Sequence, residues 1–148
     1  MKIATASYPL DVFQTWADYE ATLAGLDVAA DLEASLHAVS DRLPEADALH
    51  VKLAAEYKVH ILAASAPYVP AAGQRPVNRA RLFAPTGQVG VQDKQIMTRF
   101  EEEVWDVVPG NALQLFDTAL GKMGILICYD SEFPLLARAL SDADLILI

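Results

Sequence analysis

Cys128 is the single cysteine of the chain. It stands where the apolar run Gly124-Ile125-Leu126-Ile127 gives way to the polar segment Tyr129-Asp130-Ser131-Glu132. A thiol at such a junction can act as a nucleophile on an electrophilic carbon, provided three kinds of help converge on it: a proton acceptor, a cation or N–H donors for the developing oxyanion, and a group that orients both. Lys94, in Val91-Gln92-Asp93-Lys94-Gln95-Ile96, is the basic candidate, because a lysine at a strand end can aim its ammonium into a cleft. Glu103 closes the run Glu101-Glu102-Glu103 beside apolar Val104 and Trp105, and partial burial there would make it a useful carboxylate. Each residue also has a plainer reading: a buried core thiol, a surface lysine and a solvated acidic face.

The elements that must position these residues follow from the apolar pattern. Residues 124–127 read as a strand, the polar segment as a tight turn, and Pro134 with the leucine- and alanine-rich residues after it as a helix over 134–140. Upstream, residues 2–7 predict a first strand. Helical spacing predicts helices over 15–26 and 31–43, and Pro44-Glu45 opens a third helix running to about residue 57. An apolar strand follows at 60–64. Residues 79–84 and 88–92 form a hairpin around Pro85-Thr86-Gly87, and 113–117 pair with 123–128 in a second one. A last apolar strand covers 144–148. Mixed hairpins and crossovers predict an α/β layered fold in a single domain over residues 1–148.

Composition narrows the function classes. The chain is 53% hydrophobic with a formal charge of −9, which suits a packed globular domain and argues against nucleic acid, since phosphate binding needs clustered Lys and Arg. His37, His50 and His60 show no metal-ligand spacing, and no glycine-rich phosphate loop occurs. No cofactor is expected. One thiol cannot form an internal disulfide, and neither a signal-peptide core nor a membrane-length apolar run is present, so a cytoplasmic location is the default.

From Asn78 onward the residues resemble the nitrilase, or carbon-nitrogen hydrolase, superfamily. The resemblance rests on the Asn-initiated strand Asn78-Arg79-Ala80-Arg81-Leu82-Phe83-Ala84, on Lys94, on Glu103 seven residues before Gly110, and on Gly124-Ile125-Leu126-Ile127-Cys128-Tyr129-Asp130 with Phe133-Pro134. It implies a four-layer αββα sandwich, of which this chain holds about the N-terminal half, and a Glu-Lys-Cys triad. By this carry-over Cys128 is the nucleophile, Lys94 stabilises the tetrahedral intermediate, and Glu103 is the additional glutamate that positions the reacting groups. The backbone N–H of Tyr129 is the implied oxyanion donor. Cys-Tyr-Asp resembles amidases and carbamoylases more than nitrilases, so a small amide is the first expected substrate, with a carbamoyl compound or nitrile next. The family also implies a homodimer or higher homo-oligomer.

Two departures from the family pattern carry expectations of their own. The family's general-base glutamate follows the second strand in an apolar-Pro-Glu motif; Leu43-Pro44-Glu45 imitates it, but the residues before it read as helix. A segment around residues 21–30 is therefore expected to be absent, and the apolar strand at which the chain stops predicts a C-terminal truncation. Such a chain would be inactive for want of a base and prone to associate through its open strand edge. The second departure is Glu132, where many relatives carry arginine; it is a substrate-pocket candidate that would disfavour carboxylate-bearing substrates. The alternative to an enzyme is a non-catalytic α/β binding or assembly domain. A cysteine protease, lacking a placed histidine, ranks last.

Overall fold

The computed structural model describes residues 3–6 and 32–148, with side chains from residue 39 onward. β1 (Ile3–Ala6) pairs in parallel with β2 (His60–Tyr68), and helix α1 (Leu32–Tyr57) lies between them in the chain. β2 continues antiparallel into β3 (Val77–Phe83) and then β4 (Val89–Asp93), giving a four-stranded sheet in the order β1-β2-β3-β4. After the short helix α2 (Arg99–Glu103) come β5 (Leu115–Thr118) and β6 (Gly121–Ile125), which form a second sheet with β7 (Leu145–Leu147). β6 pairs antiparallel with β5 and parallel with β7. Between β6 and β7 stand a 3-10 turn (Cys128–Glu132) and helix α3 (Pro134–Ala139).

Strand alternation explains the layers. On β2 and β3, Ile61, Ala63 and Phe83 face one way and gather with Ala54 of α1, while Leu62, Ala80 and Leu82 face the other way and pack with Met123, Ile125 and Ile127. The second cluster is a core between the two sheets. On β6, Gly124 faces away from that core, and Leu140, at the end of α3, packs where a Cβ on this glycine would lie, 2.9 Å from Leu140 Cδ1. The sequence of layers is therefore helix, sheet, sheet, helix, as expected of an αββα sandwich.

The predicted break at Pro44 does not occur. The chain forms one helix from Leu32 to Tyr57 with Pro44 inside it. Ser40, Leu43, His50 and Ala54 are all buried, and with Asp47 they make one continuous stripe at helical spacing across the proline. Burying that stripe offsets a proline cost of about 3 kcal/mol. Of the three helices expected between the first two strands, the described residues thus show a single one. The expected helix over 15–26 and the expected gap at 21–30 lie outside the described residues. β2 runs past its predicted end, through a register shift between Ala63 and Ala66, because β3 supplies partners as far as Tyr68. Among the described residues no helix is long and apolar enough to cross a membrane.

Candidate active site

β6 pairs with β7 through Ile125, and Leu126 N still donates to Leu147 O at 2.9 Å. At the next residue the ladder ends. Ile127 N donates instead to Asp130 Oδ2 at 3.1 Å, and Asp130 N donates back to Ile127 O at 3.1 Å, so the chain curls into the 3-10 turn. Cys128 opens that turn with φ of +49°, a left-handed conformation uncommon outside glycine and associated with functional sites. Its side chain is exposed, so the core-thiol reading fails. Tyr129 N–H lies in the first turn, where an N–H finds no partner within the helix.

Lys94 directly follows β4. Its N–H extends the β3 ladder by donating to Asn78 O at 2.8 Å, and its side chain is almost fully buried, so it is not a surface lysine. The ammonium donates to both oxygens of Glu101, at 2.8 and 2.6 Å. Glu101 also accepts from Asn78 Nδ2 at 3.0 Å, Thr98 N at 2.7 Å and Thr98 Oγ1 at 2.9 Å. Burial alone would raise the Glu101 pKa; the hydrogen bonds from Lys94, Thr98 and Asn78 outweigh it and hold the carboxyl below its usual value. Glu101 is thus a fixed anion that locates the ammonium, and it makes a poor proton acceptor.

The geometry corrects the expected placement of Glu103. That residue is exposed and pairs with Arg99 Nε at 2.8 and 2.9 Å on the outer face of α2. Residues 101 and 103 lie about 200° apart around a helix, so only one can face Lys94. A readable signal selects Glu101: Thr98-Arg99-Phe100-Glu101 is a capping box, in which the N3 glutamate reaches back over the helix start. Glu45 does not approach this arrangement. It sits within α1, largely exposed, against Arg42. Glu132 is exposed at the end of the 3-10 turn.

Asp130, which in the sequence is only part of the motif around Cys128, joins the two halves of the site. It is fully buried and accepts from Gln95 N at 3.1 Å and Ile96 N at 2.8 Å as well as from Ile127 N. One carboxylate thereby ties the turn holding Cys128 to the segment that follows Lys94. The loop at Pro109-Gly110 closes on the same place. Gly110 N donates to Lys94 O at 3.2 Å, and Gly110 lies so close to Asp93 that a Cβ there would overlap its side chain. Asp93 is in turn clamped by Arg79 at 2.6 and 3.0 Å and by Asn111 N at 3.0 Å.

The family model for carbon-nitrogen hydrolases matches residues 21–148. The chain belongs to the carbon-nitrogen hydrolase family. Over 94 residues, 64% of the chain, it is 39% identical to the probable hydrolase YhcX of Bacillus subtilis, a match covering 18% of that protein. It is 39% identical over 59 residues to the bifunctional nitrilase/nitrile hydratase NIT4 of rice, covering 39% of this chain and 16% of that protein. Identity to the omega-amidase YafV of Escherichia coli is 37% over 71 residues, 48% of this chain and 28% of that one. A solved carbon-nitrogen hydrolase from Helicobacter pylori superimposes with a TM-score of 0.64 at 28% identity, covering 72% of this chain and 37% of that one. The matched stretches thus cover only part of these four proteins, from 16% to 37% of their length.

Proposed function

We propose that the protein hydrolyses small non-peptide carbon-nitrogen bonds, an amide first among them, through a thioester on Cys128. The thiolate attacks the carbonyl carbon, and the oxyanion so formed is held by the Tyr129 N–H and the Lys94 ammonium. Lys94 has three N–H bonds, and with two engaged by Glu101 one remains for the substrate. Collapse of the intermediate breaks the carbon-nitrogen bond, and the nitrogen takes up the proton that the thiol lost and leaves as ammonia or an amine. Water then attacks the thioester, releasing the acid and restoring the thiol. Glu101 replaces Glu103 as the additional glutamate. Glu132 takes the role of a rim charge that disfavours anionic substrates.

The observation that carries this reading is the hydrogen bonding of Asp130 to the N–H groups of Gln95 and Ile96, which ties the turn of an exposed, left-handed cysteine to the backbone just after a buried, carboxylate-anchored lysine. The Cys-Tyr-Asp sequence favours an amide over a nitrile, while the matches to an omega-amidase at 37% identity and to a nitrilase at 39% weigh alike. The test is ammonia release by the full-length protein from a panel of small amides and nitriles, with Cys128→Ala alongside. Turnover by the parent that vanishes in the variant is expected. A fully active alanine variant would remove Cys128 as nucleophile, and an inert parent across the whole panel would favour a binding or assembly domain.

A further inference from the structure

We infer that Asp130 is a positioning residue for the reaction, setting the distance between the nucleophile and the lysine by holding backbone amides from both sides of the site. The inference rests on the roles proposed above for Cys128 and Lys94. Those residues follow strands of separate sheets, Cys128 in the 3-10 turn after β6 and Lys94 directly after β4. Packing between sheets fixes such ends less tightly than hydrogen bonds do, and a misplacement of about 1 Å can cost on the order of a hundredfold in rate.

Asp130 Oδ1 accepts from Ile96 N and Gln95 N, and Oδ2 accepts from Ile127 N at 3.1 Å with Gln95 N also within 3.3 Å. The donors therefore come from the residue just before Cys128 and from the two residues just after Lys94. A carboxylate is the side chain suited to this task, since it offers acceptor lone pairs on both oxygens and no donor of its own. Its complete burial excludes water as a substitute acceptor. Gln95 reinforces the lysine side of the bridge, its Nε2 donating to Asp93 O at 2.7 Å and Asn111 O at 2.6 Å. Substitution by asparagine keeps the shape but puts an NH2 group against one set of N–H donors, so one side of the bridge must let go.

The experiment compares the full-length parent with Asp130→Asn, using chloroacetamide as probe. The Cys128 sulfur bonds to the probe's α-carbon as chloride leaves and the thiol proton passes to solvent, so the thiol is read without relying on turnover. The inactivation rate at saturation is expected to fall on the order of a hundredfold, with half-saturation changed by less than about threefold. A residue that only supports the fold would lower the fraction of reactive protein and leave both constants of the remainder untouched. That result, or an unchanged inactivation rate, overturns the inference. Should Asp130→Asn not fold, replacing the Ile96 amide by an ester deletes one donor with every side chain kept. The same selective loss in rate is then expected, and parental kinetics overturn the inference. Cys128→Ala, assayed for ammonia release in parallel, separates the two levels: its activity would sink the nucleophile itself, whereas an inactive Cys128→Ala beside a normal Asp130 variant would sink only the bridge.

Discussion

At the scale of single residues, the left-handed backbone of Cys128 and the pairing of Lys94 each make a distinct demand. A non-glycine residue in that conformation costs about 1–2 kcal/mol, while glycine's extra freedom in the unfolded chain costs roughly 0.5–1. Cys128→Gly should therefore be at least as stable as Cys128→Ala, by up to about 1.5 kcal/mol in urea unfolding, and both should lack activity; a clearly more stable alanine variant would contradict the strain. Lys94→Met leaves the Glu101 carboxylate buried without its cation. Breaking a buried pair in this way costs about 3–5 kcal/mol, and losing the oxyanion partner proposed above should cost on the order of a hundredfold to a thousandfold in rate. Glu103→Gln provides the contrast: it removes an exposed pair worth about 0.3–0.5 kcal/mol and should change activity by less than about twofold. A large loss of activity in Glu103→Gln, with Glu101→Gln unaffected, would return the role to Glu103.

At the scale of elements, α2 supplies Glu101 to the lysine ammonium and β4 supplies Asp93 to the clamp with Arg79 and Asn111 beside it, two anions whose charge depends on pH. Burial tends to raise both Glu101 and Asp93, but hydrogen bonds from Lys94 and Thr98 to the first, and from Arg79 and Asn111 to the second, leave each pKa below its usual value. The unfolded chain then binds the proton more readily, so the stability these groups contribute is fully present above about pH 4–5 and is lost as pH falls through the lower folded values. Urea midpoints measured from pH 6 to pH 2 should drop below about pH 4, and more shallowly in Glu101→Gln. An identical acid profile in that variant would mean that Glu101 is not held as described. Gly110→Ala should cost about 1–3 kcal/mol, because its Cβ must displace Asp93 from the clamp.

At the scale of the molecule, the site depends on two sheets sharing one core. Leu82 of β3 and Ile125 of β6 meet there, at 4% and 1% exposure. Truncating Ile125 to alanine should cost about 2–5 kcal/mol and lower the unfolding midpoint as a single transition. A loss under about 1 kcal/mol would show that the sheets do not rely on each other. The helix side has its own tie: Asp47 of α1 meets Arg81 of β3 at 3.0 Å, and Arg81 and Arg79 both stack on Tyr68.

Local chemistry in the sequence determined much of this. The hairpin at Pro85-Thr86-Gly87 is set by turn residues between apolar strands, and the strand, turn and helix around Cys128 by an apolar run ending in polar residues and Pro134. The types of Lys94 and Cys128 and their order marked the family's chemistry. What pattern did not reveal was direction. Three consecutive glutamates are equivalent in a charge count, and Glu101 was separated from Glu103 only when α2 turned one toward Lys94 and the other toward Arg99. Pro44 looks like a helix start in isolation, and only burial of the stripe from Ser40 to Ala54 against the sheet carried the helix through it. Asp130 is one polar letter after the cysteine until the fold brings Gln95 and Ile96 to it across 34 or more residues of chain. Local propensity fixes elements from neighbours a few positions away; the partners of a buried charge are chosen by packing between sheets, which no short window of sequence contains.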